Sequence, residues 1–205
     1  MPSAIAHAAP ALALIPLFRA PHVPARLWAL GVGCAIAPDL DVLAFRFGVP
    51  YEHPLGHRGL WHSLPFAALF SGLVCLATFP RPRAGFSRGR AWLYLGLATA
   101  SHGLFDALTN GGLGVALWSP IEVSPLSVRA FLSPRGLEIL ANEALWVWLP
   151  CAVWAGACTL ARTRGDGVEQ GPRTHLINPL PSPGARLRPG LFVAKARRTD
   201  GYGCA

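Results

Sequence analysis

Histidine and aspartate recur beside the apolar stretches of this chain, and both residue types bind divalent metal ions such as zinc or manganese. Such residues fall in four separate segments: His7, Asp39, Asp41, His57, His62, His102 and Asp106. An unpaired ionisable side chain is costly in lipid, so those found in membrane segments are usually paired and functional. A shared metal ion would supply the compensating charge, which predicts one metal site formed by chain-distant segments.

The spacing of two pairs indicates how they reach a common site. His102 and Asp106 in HGLFD are four residues apart, so they lie on the same face of a helix and could grip one ion. Asp39 and Asp41 follow Pro38 in PDLD. We expect a helix break there, at which both carboxylates turn inward. PDLD is also typical of a helix start, because the macrodipole favours aspartate in the first turn.

The stretch HRGLWHS combines two histidines with an arginine. His57 and His62 are five residues apart, about 140° around a helix, so they do not share a helical face. We therefore expect His57 in a loop and a helix that starts near Ser63, with Pro65 in its first turn. Arg58 could hold an anionic group or could extend to the lipid interface, and the sequence leaves both open.

The elements that must position these residues are apolar and helical. The chain has 205 residues, of which 52% are hydrophobic and 14% charged, whereas soluble domains carry about 25% charged residues. Apolar runs approach the roughly 20 residues that span a bilayer: 4–18, 27–45, 60–79, 91–108 and 144–161. The pattern predicts an all-α, polytopic membrane protein of about five embedded helices with a metal cluster between them.

The composition changes after the last apolar run. Residues 1–162 form the predicted membrane-embedded metal-binding domain, and the basic, Gly/Pro-rich residues 163–205 are predicted to be disordered. The formal net charge is +8, but no nucleic-acid-binding module is visible, so we expect no nucleic-acid partner.

Arginine placement predicts the orientation. With five spans, eight arginines fall on one face and four on the other, and the richer face is expected to be cytoplasmic. The N-terminus then lies outside and the C-terminus inside the bacterial inner membrane. The first set is Arg19, Arg26, Arg81, Arg83, Arg88, Arg90, Arg162 and Arg164; the second is Arg46, Arg58, Arg129 and Arg135.

The motifs, taken in order, resemble a known family. His7, PDLD at 38–41, HRGLWHS at 57–63 and HGLFD at 102–106 are similar to the YdjM-like family of bacterial membrane-bound metal-dependent hydrolases, over roughly residues 1–160. That family is similar to zinc-dependent phospholipase C and P1-type nucleases. The resemblance implies a helical fold, a zinc cluster and phosphoester hydrolysis.

The function that the resemblance implies is hydrolysis of a phosphoester or lipid-linked substrate, for which a bound metal would activate water. Asp41 would act as general base or orient a histidine, and Arg58 would hold a phosphate or stabilise developing charge. A transporter or proton relay, and a protein with a purely structural metal, remain alternatives. A relay should place ionisable groups through the full membrane thickness, whereas these cluster at one depth. The oligomeric state and the participation of Glu138, Asn142 and Glu143 are left open.

Overall fold

The computed structural model describes residues 3–81, 85–109, 113–126 and 138–169, which form helices joined by loops. No β-strand occurs in this part of the chain, in agreement with the all-α prediction. The last helix continues to Glu169, past the predicted start of the tail at 163. The rest of the predicted disordered tail lies outside the described residues.

The helices follow the predicted apolar runs, with a 3-10 segment after the second helix. In chain order the elements are α1 (Ala4–Phe18), α2 (Arg26–Ile36), a long 3-10 helix (Ala37–Phe47), a 3-10 turn (Leu60–His62), α3 (Leu64–Thr78), α4 (Arg88–Leu108), α5 (Glu138–Glu143), a π-helical turn (Ala144–Trp148) and α6 (Leu149–Glu169). The break expected at PDLD is therefore a change of helix type rather than a turn.

Serine caps set the starts of three helices. The hydroxyl oxygens of Ser3, Ser63 and Ser87 accept hydrogen bonds from backbone N–H groups in the first turns of α1, α3 and α4. Pro65 lies in the first turn of α3, where its missing N–H has no helical partner to lose. The predicted helix start at Ser63 is confirmed.

Helix α4 is the centre of the fold, because it packs against α1, α2 and α3. Three alanines, Ala11, Ala35 and Ala98, form a buried contact where α1, α2 and α4 meet. Small residues at such a contact let the backbones approach closely. Helix α6 packs against α1.

Two stretches are long and apolar enough to cross a membrane, Arg26–Phe47 and Leu140–Arg164, while Ile5–Phe18 and Leu64–Thr78 are apolar but shorter. Only 6% of the apolar window in Leu140–Arg164 is buried inside the protein, so most of its apolar surface faces outward. That surface suits a lipid environment. The number of spans, predicted as five, stays a prediction.

Candidate metal centre

Five ligand-type side chains from four segments meet at one end of the helices. His7 comes from α1, Asp39 from the 3-10 helix, His62 from the turn before α3, and His102 and Asp106 from α4. All but Asp39 are buried, with exposed fractions of 2% or less. The structure thus brings five of the seven predicted residues together, and the other two, Asp41 and His57, lie beside His62.

The ligand atoms lie at short mutual distances. The Nε2 atom of His102 is 3.1 Å from Nε2 of His62 and 3.2 Å from Oδ1 of Asp39. Nε2 of His62 is 3.5 Å from Oδ2 of Asp106 and 3.9 Å from Oδ1 of Asp39, and Nε2 of His7 is 3.7 Å from Oδ1 of Asp106. Ligand atoms bound tetrahedrally to one zinc ion at about 2.0–2.1 Å lie about 3.3 Å apart.

Backbone and carboxylate partners fix which ring nitrogens face the cluster. Nδ1 of His102 lies 2.7 Å from the carbonyl oxygen of Ala35, which can only accept, so Nδ1 carries the hydrogen. Nδ1 of His62 lies 3.2 Å from Oδ2 of Asp41, a charge contact rather than a well-aligned hydrogen bond. With the hydrogen of His102 on Nδ1, its Nε2 presents a lone pair toward Nε2 of His62, 3.1 Å away. Two imidazole nitrogens at this separation could both bind one cation.

Several cluster atoms lack hydrogen-bond partners among the described residues: Nε2 of His7, Oδ1 of Asp39, and both carboxylate oxygens of Asp106. Buried polar atoms normally have partners, so unsatisfied ones at a shared position indicate a ligand. Two sets of ligand atoms, each within 4.8 Å of one another, could hold an ion. One set is His7, His102 and Asp106; the other is Asp39, His57 and His62. The donor set therefore fits a divalent metal.

Asp41 lies behind the cluster. Its Oδ1 is 2.7 Å from Nδ1 of His57, and its Oδ2 accepts a hydrogen bond of 3.3 Å from the backbone N–H of Arg58. Both oxygens of Asp41 thus contact groups that flank the cluster, and Oδ2 also contacts His62. This geometry suits the orientation of histidines more than direct metal binding.

Arg58 is buried rather than interfacial. Its exposed fraction is 2%, and its Nε lies 3.2 Å from Oδ2 of Asp106. Its backbone has a φ of 69°, in a region that residues other than glycine seldom occupy. The hydrogen bonds from Arg58 N to Asp41 and from Ala116 N to Arg58 O hold this conformation. Strain of this kind concentrates at functional sites.

Gly103, between the two α4 ligands, allows His62 to approach. A Cβ atom built on Gly103 would meet the carbonyl oxygen of His62 at a distance no real contact shows. Helix α4 can therefore present His102 and Asp106 to His62 only with glycine at this position. Sequence reasoning missed Gly103, although it lies inside the HGLFD motif.

Glu143, one of the residues left open by the sequence, lies outside the cluster. The Glu143 carboxylate accepts hydrogen bonds from the backbone N–H and the hydroxyl of Ser3, so it anchors the start of α1. His53, near HRGLWHS in the chain, is exposed, and its Nδ1 accepts a hydrogen bond from Leu55 N.

Sequence reasoning also missed Tyr51, whose ring packs against His57 with ring centroids 5.5 Å apart. Burial raises the pKa of the Tyr51 hydroxyl, which therefore remains a hydrogen-bond donor at neutral pH.

Comparison with known proteins adds a family to this geometry. The family described as YdjM inner membrane protein matches residues 1–165. The chain belongs to this family. The inner membrane protein YbcI of Escherichia coli (strain K12) is 39% identical over 163 residues, which cover 73% of this chain and 92% of that relative. No solved structure matches the chain.

Membership in the YdjM inner membrane protein family supports the prediction that the chain lies in the bacterial inner membrane. Both the family and the relative are described as inner membrane proteins. The matched region, 1–165, contains every residue of the cluster and ends within α6. The candidate metal centre thus lies in the part of the chain that matches the family.

Proposed function

We propose that this YdjM-family protein is a membrane-bound metal-dependent hydrolase that acts on a phosphoester or lipid-linked substrate. The observation that carries the proposal is the pair of histidine Nε2 atoms facing each other 3.1 Å apart, beside carboxylate oxygens of Asp39 and Asp106 that have no hydrogen-bond partner among the described residues. This arrangement fits a bound divalent cation. The three imidazoles and two carboxylates contain no thiolate, which suits zinc, with manganese as the alternative.

The proposed ligands are the five residues whose donor atoms converge: His7, Asp39, His62, His102 and Asp106. A divalent ion held there would lower the pKa of a water molecule toward neutrality and so supply hydroxide for hydrolysis. His57 is the alternative ligand through its set with Asp39 and His62.

The residues around these ligands would act by orientation and charge. Asp41 would hold His62 and His57 in place, because its two oxygens lie 3.2 Å and 2.7 Å from their Nδ1 atoms. Of the two roles predicted for Asp41, the orienting one has this geometric support. Arg58 would stabilise negative charge that develops on the substrate, since its guanidinium adjoins the cluster at Asp106.

The proposed orientation of the protein places the cluster at the outer boundary of the membrane and the C-terminus in the cytoplasm. Arginines at the opposite end of the helices from the cluster support this orientation. Arg90 donates to the carbonyl oxygen of Leu17, and Arg26 donates to that of Thr78. Arg162 likewise donates to the carbonyl oxygen of Arg19, so several chain segments place arginine at this end.

The proton-relay alternative is disfavoured by the interior of the described helices. Away from the cluster, the main buried core of the described helices is largely apolar, with Leu27, Phe79 and Leu95, and the one tyrosine in it, Tyr94, already donates its hydroxyl hydrogen to the Ala11 carbonyl oxygen. A relay needs ionisable groups along its path. A purely structural metal would be consistent with the cluster geometry and is an outcome of the test below.

The test is a combined metal and activity measurement on protein purified in detergent. Bound metal is measured, and phosphomonoesters, phosphodiesters and phospholipids are tested as substrates for wild type and His102→Ala. We expect near-stoichiometric metal and hydrolysis of at least one class in wild type, and neither in the variant. Metal without hydrolysis across the full panel would leave a structural metal and overturn the enzyme proposal.

A further inference from the structure

A cavity of about 210 Å³ lies between two loops beside the metal centre. The loops are residues 48–59 and 113–126. Hydrogen bonds join the second loop to the first loop and to the start of α3. Ala116 N donates to Arg58 O over 3.1 Å, and Leu64 N donates to Leu117 O over 2.8 Å. Among the cavity-lining residues are Tyr51, His57, Arg58, Ala116 and Ser119.

His57 and Arg58 belong to both the cavity and the surroundings of the metal centre. His57 contacts Asp41, and the Arg58 guanidinium contacts the ligand Asp106. A molecule in the cavity would therefore lie against the same arginine that adjoins the cluster. A small ligand in this cavity could therefore contact both His57 and Arg58.

The Tyr51 hydroxyl is a donor without a complete hydrogen bond. Its oxygen is buried and lies against the backbone of Leu113, but it meets no acceptor with good geometry among the described residues. The Tyr51 ring packs between two others. It stacks on Phe45 with ring centroids 6.5 Å apart and lies edge-on to His57 with ring centroids 5.5 Å apart. A buried hydroxyl without an acceptor is unfavourable, so the Tyr51 hydroxyl is available to donate to a molecule that occupies the cavity.

The charge of the cavity residues favours an anionic acceptor. Arg58 supplies a cation that lines the same cavity as Tyr51, and a metal ion at the cluster would add more positive charge. Leu113, Val123 and Pro125 give the cavity an apolar side. Phosphoryl oxygens against Tyr51 and Arg58, with the attached alcohol along the apolar side, match this distribution.

We propose that Tyr51 is a specificity-determining residue whose hydroxyl, together with Arg58, binds the phosphoryl oxygens of the substrate in the loop cavity. The inference rests on the proposed function. It specifies the substrate class as a phosphate ester whose phosphoryl group forms a compact polar end. The ester could be water-soluble or could be a lipid headgroup, since both present the same phosphoryl oxygens to this cavity.

The test compares two substitutions that remove the same atom. Tyr51→Phe keeps the ring contacts but deletes the cavity hydroxyl. Tyr94→Phe is the matched control, because the Tyr94 hydroxyl donates to the Ala11 carbonyl oxygen over 3.1 Å within the helix core. Binding of inorganic phosphate and of glycerol 3-phosphate to the metal-loaded full-length chain is measured by calorimetry. A short-chain phosphatidic acid in detergent provides the lipid arm, and metal content and melting temperature are measured for each variant.

We expect Tyr51→Phe to weaken phosphate binding about 10-fold, the effect of one hydrogen bond to a charged group, with unchanged metal content. Tyr94→Phe should lower the melting temperature and leave phosphate binding unchanged. Tighter binding of glycerol 3-phosphate than of phosphatidic acid would identify a soluble ester as the substrate, and the reverse order a lipid headgroup.

The inference and the proposed function fail in different ways. If wild type hydrolyses phosphate esters but Tyr51→Phe binds phosphate as tightly as wild type does, the inference is wrong and the function stands. If wild type binds phosphate through Tyr51 but hydrolyses nothing, the anion site stands and the hydrolase proposal is wrong. Absence of phosphate binding to wild type overturns the inference directly.

Discussion

The two halves of α4 bury polar groups in opposite ways. In the first part, up to Thr99, each buried hydroxyl has a partner: Tyr94 donates to the carbonyl oxygen of Ala11 and Thr99 to that of Leu95. In the second half, both carboxylate oxygens of Asp106 lack a hydrogen bond among the described residues, and Nε2 of His102 faces the Nε2 of another histidine. One helix thus serves two different purposes along its length.

This contrast separates residues that stabilise the fold from residues that would bind the proposed metal. The Tyr94 half is internally satisfied, with aromatic contacts from Phe18 and Trp28, and its groups need nothing further. In the Asp106 half, the proposed cation would supply the partners that its buried polar atoms lack among the described residues. Substitutions in the first half should therefore change the free energy of unfolding, and substitutions in the second should change metal binding.

The largest effect is expected for His102→Ala, which removes a ligand at the centre of the cluster. We expect metal affinity to fall more than about 100-fold, beyond the effect typical of residues that only orient ligands. Chelator competition measures it. Because His102 also bonds Ala35, His7→Ala is the companion variant, since Nε2 of His7 has no hydrogen-bond partner among the described residues. Full metal retention by both variants would contradict the assignment.

A smaller loss is expected for Asp41→Asn. The amide keeps the size of the side chain but weakens its hold on His57 and His62, which should reduce metal affinity about 10- to 100-fold. Glu122→Gln makes the same chemical change at an exposed carboxylate outside the cluster and should have no effect. An unchanged affinity in Asp41→Asn would mean that Asp41 does not orient the histidines.

Gly103→Ala tests the close approach of α4 to His62. The new methyl group would press on the His62 carbonyl oxygen, move that histidine, and lower metal affinity about 10-fold. Gly33→Ala is the matched control in α2, where nothing lies within 4 Å of the new Cβ. It should raise the free energy of unfolding by about 0.5–1 kcal/mol and leave metal binding intact. Equal metal affinity in the two variants would contradict the packing argument.

The smallest effect is expected for Tyr94→Phe in the satisfied half of α4. Loss of its hydrogen bond should lower the free energy of unfolding by about 1 kcal/mol, measured by thermal or denaturant unfolding in detergent. Metal affinity should stay at the wild-type value. A fall in metal affinity would show that the two halves of the helix are coupled.

Side-chain types and short spacings predicted much of the site. The four-residue spacing of His102 and Asp106 fixed their common helix face, and Ser63 with Pro65 marked the start of α3. These features are local, so one stretch of sequence contains the whole signal. The convergence of the cluster followed from the cost of placing ionisable groups in an apolar segment.

The remaining features depend on contacts between segments that are distant in the chain. The hydrogen bond from His102 ends on the backbone of Ala35, which has no side-chain signature. Asp41 is separated from Asp39 by one residue, yet it faces His57 rather than the centre of the cluster, because the backbone there is a 3-10 helix. Tyr51 and Gly103 acquire their importance only when the loops and α4 come together.

The most direct test of the account is X-ray absorption spectroscopy of the zinc-loaded protein. The account predicts a first shell of nitrogen and oxygen at about 2.0–2.1 Å, with multiple-scattering features of imidazole from His7, His62 and His102. The signal of one imidazole should disappear in His7→Ala. A shell containing sulfur at about 2.3 Å, or no retained metal at all, would contradict it.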